Sequence, residues 1–144
     1  MNEEDAGEAL AAIRSVRTRM ARRAQWSLAR HAAFGATMGG LVASYALPFP
    51  QALAGLAICL LLTVAIAWSD RRRDGFFVNG YRAGSTRGVA VLIALFTMAV
   101  FIAAAVLKDR WSWSPVAGGV VVLIVAMLGS IAWERRYRRE LEGR

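Results

Sequence analysis

The sequence predicts an all-α integral membrane protein, a four-helix bundle of two helical hairpins preceded by a basic amphipathic helix. Three observations predict it. The 144 residues are 57% hydrophobic yet carry a formal net charge of +8. The charges are segregated: no Asp, Glu, Lys or Arg occurs from His31 to Ser69, from Gly88 to Leu107, or from Trp111 to Trp133. Finally, "AIAWSDRRRD" at 65–74 is nearly repeated as "SIAWERRYRR" at 130–139, so two apolar runs end in the same tryptophan and arginine cluster. A soluble bundle would need a polar face on each helix. The run "LAGLAICLLLTVAIAW" offers none.

Residues 1–28 are expected to form a cytoplasmic helix. The segment "EALAAIRSVRTRMARRAQWSLAR" has no proline, and Leu10, Ile13, Val16 and Met20 recur at spacings of three and four among arginines. Such a helix suits the inner headgroup layer or a partner protein's surface. Its acidic start, Glu3, Glu4, Asp5 and Glu8, favours the positive end of the helix dipole.

Residues 29–134 form the membrane domain. A helix rises ~1.5 Å per residue, so about 20 apolar residues cross a ~30 Å hydrocarbon core. The first uncharged stretch is long enough for two crossings and is divided at "LPFPQ", where Pro48 and Pro50 cannot continue a helix. The spans fall near residues 29–47, 50–69, 88–107 and 115–133. Residues 70–87 form a loop and 135–144 a basic tail. The "SYA" at 44–46 passes as a signal-peptidase site, but the basic stretch before it is too long and opens with "NEED", so an uncleaved first span is expected.

Positive charge sets the orientation. Residues 1–30 hold six arginines, five lie between the second and third spans, and five follow the fourth; the other two connections hold only Lys108 and Arg110. Both termini and the 70–87 loop are therefore expected in the cytoplasm, with the protein in the cell (inner) membrane. Trp26, Trp68 and Trp133 fall at the expected inner boundary and Trp111 and Trp113 at the outer one, the headgroup level that indole rings prefer as interfacial anchors.

At an offset of 65, Pro50, Ile66, Ala67 and Trp68 fall on Pro115, Ile131, Ala132 and Trp133. Spans two and four read as two outside-to-inside helices, each with a proline start, an aromatic anchor and a basic exit. The first and third spans do not align at this offset, which favours convergence on one topological solution over duplication of a hairpin.

The functional residues read as follows. Gly35 and Gly39 make a GxxxG, with Ala36 and Gly40 in an adjoining row of small residues. In lipid such a row marks close helix packing, within the chain or in an oligomer. Arg71, Arg72, Arg73, Arg135, Arg136, Arg138 and Arg139 are expected to contact anionic lipid or a partner. His31, the single histidine, reads as an interfacial residue with no partner evident nearby. No ligand spacing for a metal, phosphate loop or nucleophile–base pair is evident, so neither cofactor nor catalysis is expected. Nor does any carboxylate fall inside a span, which argues against ion-coupled transport. Nucleic acid is not an expected partner, because topology alone explains the arginines. The expected function is a non-catalytic accessory or regulatory subunit that binds a membrane partner and anionic lipid. The alternative is a small oligomeric channel or transporter with a pore between helical hairpins.

Overall fold

A computed structural model describes residues 3–23, 26–74 and 86–142. Among these residues the chain is helical, with no strand. The helices are α1 (Glu3–Arg23), α2 (Leu28–Ala43), α3 (Gln51–Asp74), α4 (Thr86–Leu107) and α5 (Ser114–Glu142); a 3-10 turn, Ser44–Ala46, continues α2. Three helices are long and apolar enough to cross a membrane: α3 over Gln51–Arg72, α4 over Thr86–Leu107 and α5 over Ser114–Glu140.

Local chemistry sets the helix ends. Ser27 caps α2, its hydroxyl oxygen accepting the Arg30 N–H at 3.3 Å. At the other end the Ser44 hydroxyl donates to the Gly40 carbonyl at 2.6 Å, and the Leu47 N–H to Ser44 O at 3.1 Å. The prolines then forbid continuation, and α3 starts immediately after Pro50. α5 is tied to α4 at its start, where the Ser114 hydroxyl donates to Ala104 O at 2.9 Å. Pro115 lies buried in that first turn.

The helices pack in the lateral order α3–α2–α5–α4, a curved row in which α4 also touches α2. α2 and α5 share the most extensive contact. Glycine permits it. A β-carbon on Gly35 would stand 2.6 Å from Leu123 O and 3.0 Å from Met127 Cβ; one on Gly39 would collide with Gly119 O. One on Gly119 would meet Ala43 Cβ at 2.8 Å. The GxxxG of α2 is thus spent on α5 of the same chain. Gly40 faces α3, where an added β-carbon would lie 2.8 Å from Cys59 Sγ. Ala36 is exposed.

Two small cores flank this seam. Val42, Ala104 and Val122 form one, and Val89, Trp133 and Tyr137 the other. α3 lies at the periphery, held mainly by α2 and the 3-10 turn, and makes no comparable contact with α4. The expected four-helix bundle of two hairpins is not confirmed: among the described residues the row stays open between α3 and α4. The two copies of the Ile-Ala-Trp phrase also occupy unlike places, Trp68 exposed on peripheral α3 and Trp133 buried on central α5.

The first span is shorter as a helix than the sequence predicts. α2 stops at Ala43 and the chain tightens into the 3-10 turn before Leu47. The 70–87 loop, except residues 70–74 and 86–87, lies outside the described residues, as does the side chain of Arg73.

Candidate functional site

The chemistry concentrates at one end of the molecule, where the start of α2 meets the ends of α3 and α5. Arg30 reaches from α2 to Asp70 of α3. Its Nε donates to Oδ1 at 2.9 Å and Oδ2 at 3.0 Å, and its Nη2 donates to Oδ2. The guanidinium also lies over the Trp26 ring, 3.5 Å from the centroid. Two of its donors, on Nη1, make no hydrogen bond with the described residues.

Beside it, His31 joins α2 to α5. Its Nδ1 lies 2.9 Å from Ser130 Oγ and its Nε2 lies 2.8 Å from Glu134 Oε2. All three residues are buried. With the ring proton on Nε2, imidazole donates to the carboxylate and accepts the serine hydroxyl proton, so both ring nitrogens are used. Ser130 and Glu134 stand four apart on α5 and present one face, between which the ring fits. Arg138, a further turn along, approaches Glu134 at 4.0 Å.

The arrangement has the connectivity of a serine, a base and an orienting acid. Ser130 lies inside α5, where the surrounding backbone N–H groups are committed to the helix ladder. What the cluster does chemically is clamp α2 to α5. Interhelical polar contacts of this kind stabilise membrane helix pairs by about 0.6–2 kcal/mol each.

An aromatic stack closes the same end. Trp26 and Trp133 are parallel at 5.3 Å between centroids with 7° between planes, and Trp133 continues onto Tyr137 at 5.2 Å. Trp133 is 6% exposed and packs within this stack. Trp68, Trp111 and Trp113 are exposed. Trp68 carries Arg72 over its ring at 3.6 Å.

From this polar end a cleft of about 640 Å³ runs along the gap between α3 and α4, with α2 and α5 as its floor. Its walls are apolar, including Phe34, Met38, Leu56, Ile93 and Phe101. Thr37 and Thr63 line it too, but their hydroxyls donate to their own helix, to Ala33 O and Cys59 O. Thr97 lines it as well, and its buried hydroxyl has no hydrogen-bond partner among the described residues. Charged groups gather only at the end built by Trp26, Arg30, Asp70, Ser130 and Trp133, so the cleft is mainly apolar along its length and charged at one mouth.

The predicted arginines flank that mouth. Arg71, Arg72, Arg135, Arg136 and Arg139 are exposed, and Arg138 is half-buried. With Arg30 and Arg87, eight arginines with described side chains stand at this end against Asp70, Glu134 and Glu140. The opposite end holds a smaller contact: Lys108 Nζ donates to Tyr45 O at 2.7 Å and lies 4.5 Å from the Tyr45 ring centroid. Among the described residues no group of His, Cys, Asp and Glu is placed to hold a metal ion.

Sequence reasoning missed the His31 cluster and the Arg30–Asp70 pair. The partners lie 99, 103 and 40 residues away, beyond any local pattern. One signal was present: Ser130 and Glu134 at i and i+4 put a hydroxyl and a carboxylate on one helix face. Comparison with family models, with curated proteins and with solved structures found no match.

Proposed function

We propose that this chain is a non-catalytic inner-membrane protein, an accessory or regulatory subunit that binds a membrane partner and anionic lipid. The observation that carries the reading is the cleft, an apolar binding surface with one polar mouth, open on the side that α3 and α4 leave unclosed. Its volume lies in the range of small-molecule and cofactor sites, roughly 300–1,000 Å³.

The reading includes four membrane crossings with both termini cytoplasmic. α2 and the 3-10 turn support the fourth crossing: 16 helical residues at ~1.5 Å and three more at ~2.0 Å make about 30 Å, the thickness of the hydrocarbon core. The arginine-rich ends of α2, α3 and α5 stand together, as the positive-inside pattern requires. α1 touches α5 yet leaves Leu10, Ile13 and Val16 exposed, a face suited to the headgroup layer or to a partner.

A channel or transporter would also place its path between the hairpins, where the cleft lies. The cleft's walls favour the binding reading instead. A conducting path needs groups that replace a hydration shell, and two of the three threonines lining this cleft spend their hydroxyls on their own backbone. The test is purification in mild detergent from the native host, with mass spectrometry of what remains bound. A stoichiometric membrane partner is expected. A pure homo-oligomer that conducts solute after reconstitution, with flux lost on Thr97→Val, would overturn the reading.

A further inference from the structure

We infer that the cleft is a site for one anionic phospholipid of the cytoplasmic leaflet, with an acyl chain between α3 and α4 and its phosphate at Arg30. The inference rests on the membrane-subunit reading above and goes beyond it, since it names the ligand and where each part lies.

Shape comes first. The lining runs from Leu56 to Asp70 on α3, which at ~1.5 Å per residue is about 20 Å. That exceeds the ~15 Å of hydrocarbon in one leaflet, so the groove is long enough for a chain that enters from the inner side. A flexible acyl chain with a charged head matches both the apolar walls and the charged end of the cleft.

Polarity then fixes the direction. Every charged group that lines the cleft is at its inner mouth, and the threonines along its walls are neutral, so an amphiphile lies with its head at the mouth and its tail among Phe34, Met38, Ile93 and Phe101. Arg30 is the receiving group. Asp70 and the Trp26 ring hold its guanidinium in place, and the pair of donors on Nη1 stays unused. A guanidinium fixed by one carboxylate with a free edge is suited to donate to a phosphate oxygen pair.

Charge gives the class. Asp70 balances Arg30 locally, but the surrounding arginines outnumber the carboxylates at this end. Arg71, Arg135, Arg136 and Arg139 are exposed and form no ion pair with the described residues. A headgroup with net negative charge gains from that field, at about fivefold in occupancy per basic residue near the surface; a zwitterionic one gains little.

The experiment uses the protein's own tryptophans. Trp26 and Trp133 line the cleft. Replacing Trp68, Trp111 and Trp113 with Phe leaves those two as the emitters. The protein is reconstituted in phosphatidylcholine vesicles, and chain-brominated phosphatidylglycerol or chain-brominated phosphatidylcholine is added as quencher. The anionic quencher is expected to act at a mole fraction about fivefold lower than the zwitterionic one. Ala67→Phe and Ala94→Phe, which fill the cleft from α3 and α4, are each expected to abolish that preference. Ala103→Phe, on the exposed side of α4, leaves it intact. The neutralising pair Arg30→Gln with Asp70→Asn keeps net charge constant and is expected to remove most of the preference.

Equal potency of the two quenchers would overturn the site. So would a preference that survives both filling variants, since the lipid would then sit on the outer arginines and not in the cleft. Full preference in the Arg30/Asp70 variant would overturn the role of Arg30. Absence of quenching by either lipid would overturn the site, and protein that does not float with the vesicles in a density gradient would overturn the membrane-subunit reading itself.

Discussion

Alanine at Gly39 is expected to unseat α2 from α5, and the cost can be worked from the contact. An added β-carbon collides with the Gly119 carbonyl and lies 2.8 Å from Leu123 Cβ and 3.2 Å from Leu123 N. Ordinary carbon contacts are ~3.5–4.0 Å, so the helices must separate by about 1 Å. Two of the three obstructing atoms are backbone and the third is a β-carbon, so no side-chain rotation relieves them. Gly35 and Gly119 lie on the same seam with equally close neighbours, so the separation spreads along it. Overpacking of this kind costs about 1–3 kcal/mol. Glycine-to-alanine also raises helix propensity by up to ~1 kcal/mol, so a reference is required. Gly88 provides it, because a β-carbon there meets nothing within 4 Å. The difference between Gly39→Ala and Gly88→Ala therefore approximates the steric cost. Equilibrium unfolding in mixed micelles, by titration with dodecyl sulfate and far-UV circular dichroism, measures both. Gly39→Ala should be less stable than Gly88→Ala by about 1–3 kcal/mol. Equal stability of the two would refute the reasoning, since the GxxxG would then not be packed within the chain.

Four further outcomes follow from the same geometry. His31→Ala leaves Glu134 buried without its partner, which should destabilise by about 3–5 kcal/mol if the carboxylate stays charged; Glu134→Gln should cost less, and a double-mutant cycle between the two reads their coupling. Ser130→Ala removes one hydrogen bond to the ring and should cost about 0.5–1.5 kcal/mol in the same unfolding assay. Trp133→Ala should cost about 3–5 kcal/mol and abolish the exciton signal that the parallel Trp26–Trp133 pair gives in circular dichroism, whereas Trp68→Ala should leave that signal unchanged. Ala36→Leu, at an exposed position, should change stability by less than about 0.5 kcal/mol.

Residue patterns along single helices were legible in the sequence, and relations between helices were not. The apolar runs and prolines gave the starts of α3, α4 and α5 to within two residues, because helix starts are local properties; α3 and α5 run on five and nine residues past the expected span ends at 69 and 133, since a charged sequence can continue a helix beyond the apolar run. The end of α2 was less legible: Ser44 bonds back to Gly40 and the chain tightens into a 3-10 turn, which shortens the α-helix without changing its composition. The small-residue row predicted a packing face but could not choose between a partner chain and α5. Packing chose α5 for Gly35 and Gly39, and it left Ala36 outside. Trp68 and Trp133 share one local phrase, yet one is exposed and the other buried, because their helices differ in position within the row. His31 had no visible partner because its partners are on α5, and helix order across the membrane is not written in periodicity. The cleft was invisible for the same reason: it is the consequence of α3 and α4 not meeting.

The cleft's orientation, the leaflet it opens to and the meaning of the arginine-rich end all depend on α2 crossing the membrane. The most direct measurement is the side on which each terminus lies. On a Cys59→Ala background, single cysteines at Ala6 and at Gly143 are treated in intact cells with a membrane-impermeant maleimide. With four crossings both termini are cytoplasmic, and neither position labels until the cells are opened. Labelling of the Ala6 position alone from outside would contradict the account, because it would leave α3, α4 and α5 as the only crossings and place α1 and the start of α2 on the opposite side from the tail.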